Sequence, residues 1–492
     1  MSALEGIVEA GVKKRVEHIA ECELRAMELQ ETRLKSILSR NADTEFGRAH
    51  GFSEIGSPAD FRARVPISGA TDYEAAWKRI AAGERGVLFA DPVDAYGLSS
   101  GTTGEPKAVP LTKALVRSLK RAIGYTTASY IARTGNWGLL RGYALQMAAP
   151  PRMRTNEADG KPVGFITGLI SAARSYPFHN IGIPPTEVLN IEDWEEKYRI
   201  VEEQYADHDV RMIFGIPSYV LGLLRRLAAK QPSGDLMTLW PDLQFIVTSG
   251  VSLQSYRDKL GPLCPKADLV EMYLCTEASI AFQPGAEPGM MPMVEDLYLE
   301  FVPEEEWEND SPTRLTLAEV EPDVRYVLLV TTPSGLYAYA PGDVVRFLST
   351  QPHRLLVEGR YGNVLNLAAE KLDGIQAAQS LTKAGLEFEA FSVCPAGGGA
   401  VGHEWVVEFT AEPPANAAAR IDTALRQINP LYDHMREGGL LMEGPVVTAV
   451  PRGTFDEALR HRPGQGKILR IYQHRKVRDE LCSLAKIIRN GE

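Results

Sequence analysis

Residues 98–112 read Leu-Ser-Ser-Gly-Thr-Thr-Gly-Glu-Pro-Lys-Ala-Val-Pro-Leu-Thr, and this stretch carries the clearest chemical signal in the chain. Between Ser99 and Lys107 it holds two glycines, four Ser or Thr hydroxyls and one lysine. It therefore offers backbone N–H groups, hydroxyl donors and a positive charge together, which suits a polyphosphate. The plainer interpretation is a surface turn rich in Gly, Ser and Thr.

The spacing of this stretch excludes the P-loop of kinase-type NTPases. That motif has four residues between its two glycines and a Lys-Ser or Lys-Thr pair directly after the second. Here two residues separate Gly101 from Gly104, and Lys107 follows three residues later, before Ala108. The rest of the chain must decide between another kind of nucleotide loop and a turn.

The length and composition of the chain limit which classes of protein it can belong to. A chain of 492 residues is too long for one simple core and should divide into at least two domains. Apolar content of 44% and charged content of 24% are ordinary for a globular protein, and the net charge of −11 opposes non-specific nucleic-acid binding. Mixed charge through residue 25 and the lack of a long apolar run lead us to expect neither a secretory signal nor a membrane span. We expect a cytoplasmic protein that binds neither nucleic acid nor membrane and has no obligate protein partner.

The cysteines predict neither a disulfide framework nor a zinc site. They are odd in number, widely scattered and without a Cys-x-x-Cys pair, so we expect buried or incidental thiols. They are Cys22, Cys264, Cys275, Cys394 and Cys482.

The pattern of apolar residues predicts an α/β fold. A helical lead-in over residues 4–39 is followed by short β-branched runs that alternate with helical segments up to about residue 273, the first run being Gly86 to Phe89. Such alternation predicts βαβ units and a mostly parallel sheet covered by helices. Strands dominate after Leu299, and a compact α+β pattern begins near Leu367.

Three further segments have the placement or chemistry of a nucleotide site. Residues 248–252 and 273–277 each follow a predicted strand, where α/β proteins place their ligand loops. In the second, Glu277 beside a hydroxyl is able to hold Mg²⁺, or it simply caps the next element. In residues 337–345, Asp343 stands at the entry to a strand, where it can accept ribose hydroxyls or merely stabilise a turn.

In their order, these segments resemble the acyl-adenylate-forming (firefly luciferase-like) superfamily, and within it the auxin-responsive promoter (Gretchen Hagen) family of acyl-acid-amido synthetases. The resemblance extends over nearly the whole chain. It is carried by Thr44 to Arg48, Phe61 to Pro66, Gly83-Glu84, Ser99 to Lys107, Trp240 to Leu243, Thr276-Glu277 and Gly342 to Val345.

The resemblance implies a set of site residues. Catalytic roles fall to Lys467, Glu277 and Lys107, and Glu277 is the implied metal ligand. Nucleotide-binding roles fall to Ser99, Ser100, Gly101, Thr102, Thr103, Ser249, Gly250, Tyr273, Thr276, Asp343 and Arg360. On the helix after the first loop, we expect an acyl pocket near Arg117, Arg121 and Tyr125.

The resemblance also implies a domain plan. We expect a large N-terminal adenylation domain over 1–358, with mostly parallel sheets and a β-rich region, a hinge at 359–366, and a smaller mobile α+β lid domain over 367–492. Residues 464–467 resemble the segment that brings a catalytic lysine into the site. Family members often carry Arg at the positions of Ala338 and Ala340, Ser at Cys275, and Pro at the position before Arg470.

The implied reaction joins a small carboxylic acid to an amino acid or amine, with ATP and Mg²⁺, through an acyl adenylate. An acyl-CoA ligase, which would use CoA as acceptor after the same first step, is an alternative. A catalytically silent nucleotide- or small-molecule-binding protein is another. Retention of Lys107, Glu277, Asp343 and Lys467 argues against the silent protein.

Overall fold

A computed structural model describes residues 3–98, 107–173, 178–250, 253, 256–361, 364–365, 367, 370, 372–397, 401–436, 442–460, 468–472 and 474–490. The chain forms two compact units. The first comprises Met1–Pro341 and Val345–Val357, and the second comprises Gly342–Val344 and Glu358–Glu492. No helix among the described residues is long and apolar enough to cross a membrane.

The first unit alternates helices with strands. Its helices are α1 (Ala3–Leu24), α2 (Ala26–Asn41), α3 (Glu45–Ala49), α4 (Pro58–Arg64), α5 (Ala70–Ala81), α6 (Lys113–Thr134), α7 (Ile166–Ala172), α8 (Phe178–Ile181), α9 (Thr186–Leu189), α10 (Trp194–Gln204), α11 (Pro217–Ala228) and α12 (Arg257–Leu260). Its strands are β1 (Val93–Leu98), β2 (Ala108–Thr112), β3 (Tyr143–Met147), β4 (Arg154–Thr155), β5 (Pro162–Phe165), β6 (Gly182–Ile183), β7 (Val210–Gly215), β8 (Phe245–Ser249), β9 (Asp268–Leu274), β10 (Ser279–Phe282), β11 (Met291–Pro292), β12 (Tyr298–Pro303), β13 (Leu315–Thr316), β14 (Arg325–Thr331), β15 (Asp343–Thr350) and β16 (His353–Arg360).

The largest sheet has the strand order β11-β10-β9-β8-β7-β3-β6. Strands β9, β8, β7, β3 and β6 run parallel, and β10 and β11 extend the sheet antiparallel. Every residue of β8 is buried, as expected for a central parallel strand covered on both faces. The carboxyl ends of the parallel strands therefore share one edge, where the loops predicted to bind nucleotide begin.

Two further sheets complete the first unit. One has the order β2-β1-β5-β4, in which β1 runs antiparallel to β2 and parallel to β5. The other has the order β13-β12-β14-β15-β16 and forms the expected β-rich region. Strand β15 begins at Asp343, among the residues assigned to the second unit.

The strand predicted at Gly86 to Phe89 is wrong. These residues form a bend, and the carbonyl oxygens of Gly86 and Val87 accept hydrogen bonds from the amides of Glu45 and Phe46 at the start of α3. The apolar side chains are nonetheless buried, Phe89 being 4% exposed. The run of apolar residues reflects burial and not a strand. The backbone carbonyl groups form their hydrogen bonds with α3 and not with a neighbouring strand.

The second unit is a separate α+β structure. Its elements are β17 (Val364–Leu365), β18 (Leu372–Asp373), α13 (Gly374–Lys383), β19 (Phe388–Pro395), β20 (His403–Phe409), α14 (Ala417–Ile428), α15 (Pro430–Arg436), β21 (Val446–Val450), α16 (Thr454–Arg460) and α17 (Lys476–Asn490). Strands β19-β20-β21 form one sheet, antiparallel and then parallel. Helix α13 begins with a capping box in which Asp373 accepts from the Gln376 amide and Gln376 reaches back. The predicted α/β fold class is confirmed, while the predicted domain boundaries and the mobility of the second domain stay predictions.

Candidate functional site

The carboxyl edge of the parallel sheet brings two predicted loops side by side. Ser249 ends β8 and pairs in register with Met272 of β9. The next residue, Gly250, has a φ of 83°, a left-handed conformation that glycine adopts without strain, so the chain can leave the strand sharply. Beyond β9, the Cys275 amide donates to the Ala278 carbonyl over 3.0 Å and closes a tight turn. Thr276 and Glu277 lie at the tip of that turn.

The end of β1 lies against Thr276. A Cβ atom at Gly97 would stand 2.6 Å from Thr276 Cγ2, so only glycine allows this approach. The Thr276 hydroxyl donates to the Leu98 carbonyl oxygen over 3.4 Å. Leu98 directly precedes the predicted phosphate loop, whose residues Ser99, Ser100, Gly101, Thr102 and Thr103 lie outside the described residues.

Lys107 forms an ion pair with Glu74 of α5. Its Nζ lies 2.5 Å from Glu74 Oε1, and the lysine holds the pKa of this exposed carboxyl below its usual range. Glu74 could not be predicted from the sequence, because nothing in an amphipathic helix marks which of its carboxylates faces a distant lysine.

Tyr339 contacts Glu277, the predicted magnesium ligand. The Tyr339 hydroxyl donates to Glu277 Oε1 over 3.4 Å, and the glutamate side chain is half-buried. Ala338, beside Tyr339, has a φ of 44°, which is unusual for a residue with a Cβ. Two hydrogen bonds hold it there: its amide donates to Thr331 Oγ1 over 2.9 Å, and its carbonyl accepts from the Ser68 amide over 3.1 Å. Tyr339 lies within residues 337–345, in which the sequence singled out Asp343 alone.

Glu271, on β9, anchors the loop that follows Ser249 and Gly250. Its carboxylate accepts the Leu253 amide over 3.0 Å, and burial raises the pKa of this carboxyl. Tyr273, the predicted nucleotide residue two positions along the strand, is 8% exposed. Glu271, which holds the backbone at Leu253, is a further residue near the candidate site that the sequence did not indicate.

Lys197 is a buried lysine next to the carboxyl end of β3. Its Nζ donates to the carbonyl oxygens of Ala148 over 2.9 Å and Leu189 over 3.2 Å, and lies 4.3 Å from the centre of a Trp194 ring. Burial lowers the pKa of Lys197 to about 7. The amine fixes the path of the chain as it leaves β3.

The residues predicted for an acyl pocket on α6 have different surroundings. Arg121 lies 2.6 Å from Glu295 Oε2, and the Tyr125 hydroxyl donates to Glu295 Oε1 over 2.5 Å. Arg117 is exposed. Arg121 and Tyr125 thus contact the same carboxylate, that of Glu295, while Arg117 does not share this contact. A role for the three residues in substrate binding stays a prediction.

The second unit carries the remaining predicted residues. Asp343 is the first residue of β15 and is 8% exposed. Arg360 is the last residue of β16, and its side chain is not among those described. Lys467 lies outside the described residues. The roles given to these three residues stay predictions.

Comparison with known proteins gives consistent matches. Probable indole-3-acetic acid-amido synthetase GH3.12 of Oryza sativa subsp. japonica is 26% identical over 413 residues, which cover 65% of this chain and 66% of the rice protein. Indole-3-acetic acid-amido synthetase GH3.3 of Arabidopsis thaliana is 21% identical, covering 90% of this chain and 88% of the relative.

Solved structures share the fold. GH3.15 acyl acid amido synthetase superposes with a TM-score of 0.78 at 18% identity, covering 95% of each chain. 2-Hydroxyisobutyryl-CoA ligase, in the postadenylation state in complex with R3-HIB-AMP, superposes with a TM-score of 0.61 at 15% identity, covering 93% of this chain and 91% of that one.

The domains of one family match in order along the chain. The GH3 family N-terminal domain matches residues 15–202, the central domain 290–360 and the C-terminal domain 370–476. Together they account for most of the sequence. The chain therefore belongs to the GH3 family, the Gretchen Hagen family of acyl-acid-amido synthetases that its motifs resemble.

Proposed function

We propose that this protein is an ATP-dependent ligase that adenylates a small carboxylic acid and transfers the acyl group to the amine of an amino acid. One observation carries the proposal beyond family membership. The strand end that leads into the predicted phosphate loop lies against Thr276 of the predicted second nucleotide motif, through Gly97 and the Leu98 carbonyl. Segments 178 residues apart thus converge at the edge where α/β proteins bind nucleotides.

In the first step, a carboxylate oxygen attacks the α-phosphorus of ATP and pyrophosphate leaves. Negative charge grows on the phosphoryl oxygens, so preorganised donors stabilise the transition state electrostatically. Lys107 and Lys467 supply positive charge, and the backbone and hydroxyl groups of residues 99–103 supply hydrogen bonds. Asp343 accepts hydrogen bonds from the ribose hydroxyls.

The residues at the tip of the β9–β10 turn fit a hard cation. Glu277 offers a half-buried carboxylate beside the Thr276 hydroxyl, and oxygen atoms are the ligands that Mg²⁺ prefers. Glu277 would hold the ion, and Mg²⁺ when bound would offset the charge of the triphosphate. Tyr339, through its hydrogen bond to Glu277 Oε1, orients that carboxylate.

In the second step, the amine nitrogen attacks the carbonyl carbon of the acyl adenylate. A carbon–nitrogen bond forms, the bond from the acyl carbon to the phosphate oxygen breaks, and AMP leaves. The amine must arrive without its extra proton, since an ammonium has no lone pair, so a base accepts that proton.

ATP–pyrophosphate exchange over a panel of carboxylic acids tests the first step, and mass spectrometry after adding mixed amino acids and CoA tests the second. We expect exchange that depends on at least one acid, followed by an amide product. A CoA thioester without amide would replace the proposal by an acyl-CoA ligase. No exchange with any acid would contradict adenylation and favour a binding protein.

A further inference from the structure

Three side chains of different chemistry converge on one face of α1, apart from the predicted nucleotide residues. His18 and Cys22 are four residues apart on α1, so they lie on the same side of the helix. Glu295 comes from the segment between β11 and β12. His18 Nε2 lies 3.0 Å from Glu295 Oε2 and 3.6 Å from Cys22 Sγ, and the three atoms all lie within 4.8 Å of one another.

The two distances from His18 Nε2 are close to the edges of a tetrahedral zinc site. With zinc bonds of about 2.0 Å to nitrogen, 2.1 Å to oxygen and 2.3 Å to sulfur, the nitrogen–oxygen edge is about 3.3 Å and the nitrogen–sulfur edge about 3.5 Å. Small side-chain shifts would lengthen the nitrogen–oxygen separation from 3.0 Å to the tetrahedral value. The nitrogen–sulfur separation of 3.6 Å is already close to its tetrahedral value. A thiolate, an imidazole and a carboxylate together favour Zn²⁺ over Mg²⁺ or Ca²⁺, which take oxygen ligands.

Neighbouring groups hold the three side chains in place. The second ring nitrogen of His18, Nδ1, lies 3.7 Å from Glu21 Oε2, which places a carboxylate near this nitrogen but beyond hydrogen-bond distance. The Tyr125 hydroxyl donates to Glu295 Oε1 and so leaves Oε2 toward His18. Arg33 Nε donates to the main-chain carbonyl of Glu295 over 2.5 Å and fixes its backbone.

The charges around Glu295 and the solvent exposure of His18 are compatible with a bound cation. Arg121 lies 2.6 Å from Glu295 Oε2 but also 3.1 Å from Asp296 Oδ1, so two carboxylates share its positive charge. The carboxylate oxygen has a second lone pair for a metal. The His18 side chain is 42% exposed, which opens a path from solvent, whereas Cys22 is 2% exposed.

We propose that His18, Cys22 and Glu295 form a Zn²⁺ site that ties α1 to the segment preceding β12. On binding, the Cys22 thiol releases its proton to solvent and a zinc–sulfur bond forms. Glu295 also contacts Arg121 and Tyr125, two of the residues predicted for an acyl pocket, but the zinc proposal does not depend on the proposed function.

The experiment is a titration of the chelator-treated full-length protein with Co²⁺ and then Zn²⁺. We expect one Co²⁺ per chain with a thiolate-to-cobalt charge-transfer absorption, which Zn²⁺ displaces. Cys22→Ser should lose this absorption. Cys264→Ser is the matched control, because Cys264 is also buried, at 1% exposure, but lies elsewhere in the core, and it should keep the absorption.

A second measurement covers the case in which Cys22→Ser folds poorly, as judged by circular dichroism. His18→Gln alters the most accessible ligand, and we expect it to weaken Zn²⁺ binding at least tenfold while the fold is kept. Zn²⁺ should raise the thermal midpoint of the parent protein and not that of His18→Gln. Absence of stoichiometric binding in the parent, an absorption that persists in Cys22→Ser, or unchanged affinity in His18→Gln would overturn the site.

Discussion

The ammonium of Lys107 lies 2.5 Å from Glu74 Oε1, and the two side chains are 33% and 36% exposed. Lys107 directly follows the eight residues that begin the predicted phosphate loop, whereas Glu74 belongs to α5. A phosphate group would compete with this carboxylate for the same cation. The pair therefore sets how freely Lys107 can turn to a nucleotide.

Glu74→Gln should lower the KM for ATP. An exposed ion pair contributes little, so we expect the affinity to change by no more than about fivefold. Steady-state pyrophosphate exchange at varied ATP measures the effect. Glu84→Gln is a matched control, because Glu84 pairs with Arg79 over 2.9 Å, and it should leave the KM unchanged. A higher KM in Glu74→Gln would mean that the carboxylate orients Lys107 productively.

Glu277→Gln should reduce ATP–pyrophosphate exchange by about 100-fold or more, the usual cost of removing a group that stabilises charge in the transition state. The amide keeps the shape of the side chain but lacks the negative charge that a divalent cation needs. Glu305→Gln, in an exposed turn, is the control. Exchange at the parental rate would remove Glu277 from the site.

Lys467→Ala should abolish exchange yet spare the conversion of a supplied acyl adenylate to the amide, because the resemblance gives this lysine a role in the first step alone. Product formation from synthetic adenylate is followed by mass spectrometry. Lys476→Ala, at the exposed start of α17, should affect neither step. Unimpaired exchange in Lys467→Ala would contradict the assignment.

Lys197 should make stability depend on pH. Burial lowers its pKa from 10.5 to about 7, so between these values the unfolded chain holds a proton that the folded chain lacks. The unfolding free energy of the parent should therefore rise with pH, by up to about 1.4 kcal/mol per unit relative to Lys197→Met, and the difference should level off below the lower value. Urea denaturation of both proteins from pH 7 to 10 measures this slope. A difference that stays constant with pH would show that Lys197 is charged in the folded protein.

Glu300→Gln should destabilise the first unit by about 3–5 kcal/mol, because it leaves the Arg314 guanidinium charged and without its counterion in the core. The two side chains are 1% and 7% exposed, and Arg314 Nη2 lies 2.7 Å from Glu300 Oε2. Asp433→Asn is the control, since it breaks the exposed pair with Arg426 and should cost about 1 kcal/mol or less. Equal shifts in the urea midpoint for both variants would contradict the prediction.

The sequence alone predicted the alternation of strands and helices, the β-rich region and the α+β pattern near the end of the chain, while the nucleotide-binding roles of the loops stay predictions. These features depend on local signals. Apolar periodicity marks covered strands, and glycines with hydroxyl residues mark the turns that follow them. Ser249 and Thr276 could be placed at one edge of the sheet because parallel strands must end on the same side. The strand predicted at Gly86 to Phe89 was wrong because a buried bend and a buried strand have the same apolar sequence pattern.

Only the tertiary structure decided which side chains meet. Glu74 faces Lys107, the Thr276 hydroxyl reaches the Leu98 carbonyl, and Glu295 contacts His18 of α1, which lies 277 residues before it. Contacts of this kind depend on how whole elements pack, and no local pattern encodes them. For the same reason, the cysteine spacing predicted no zinc site, since Glu295, the third ligand of the proposed site, comes from a distant segment that packing alone brings to α1.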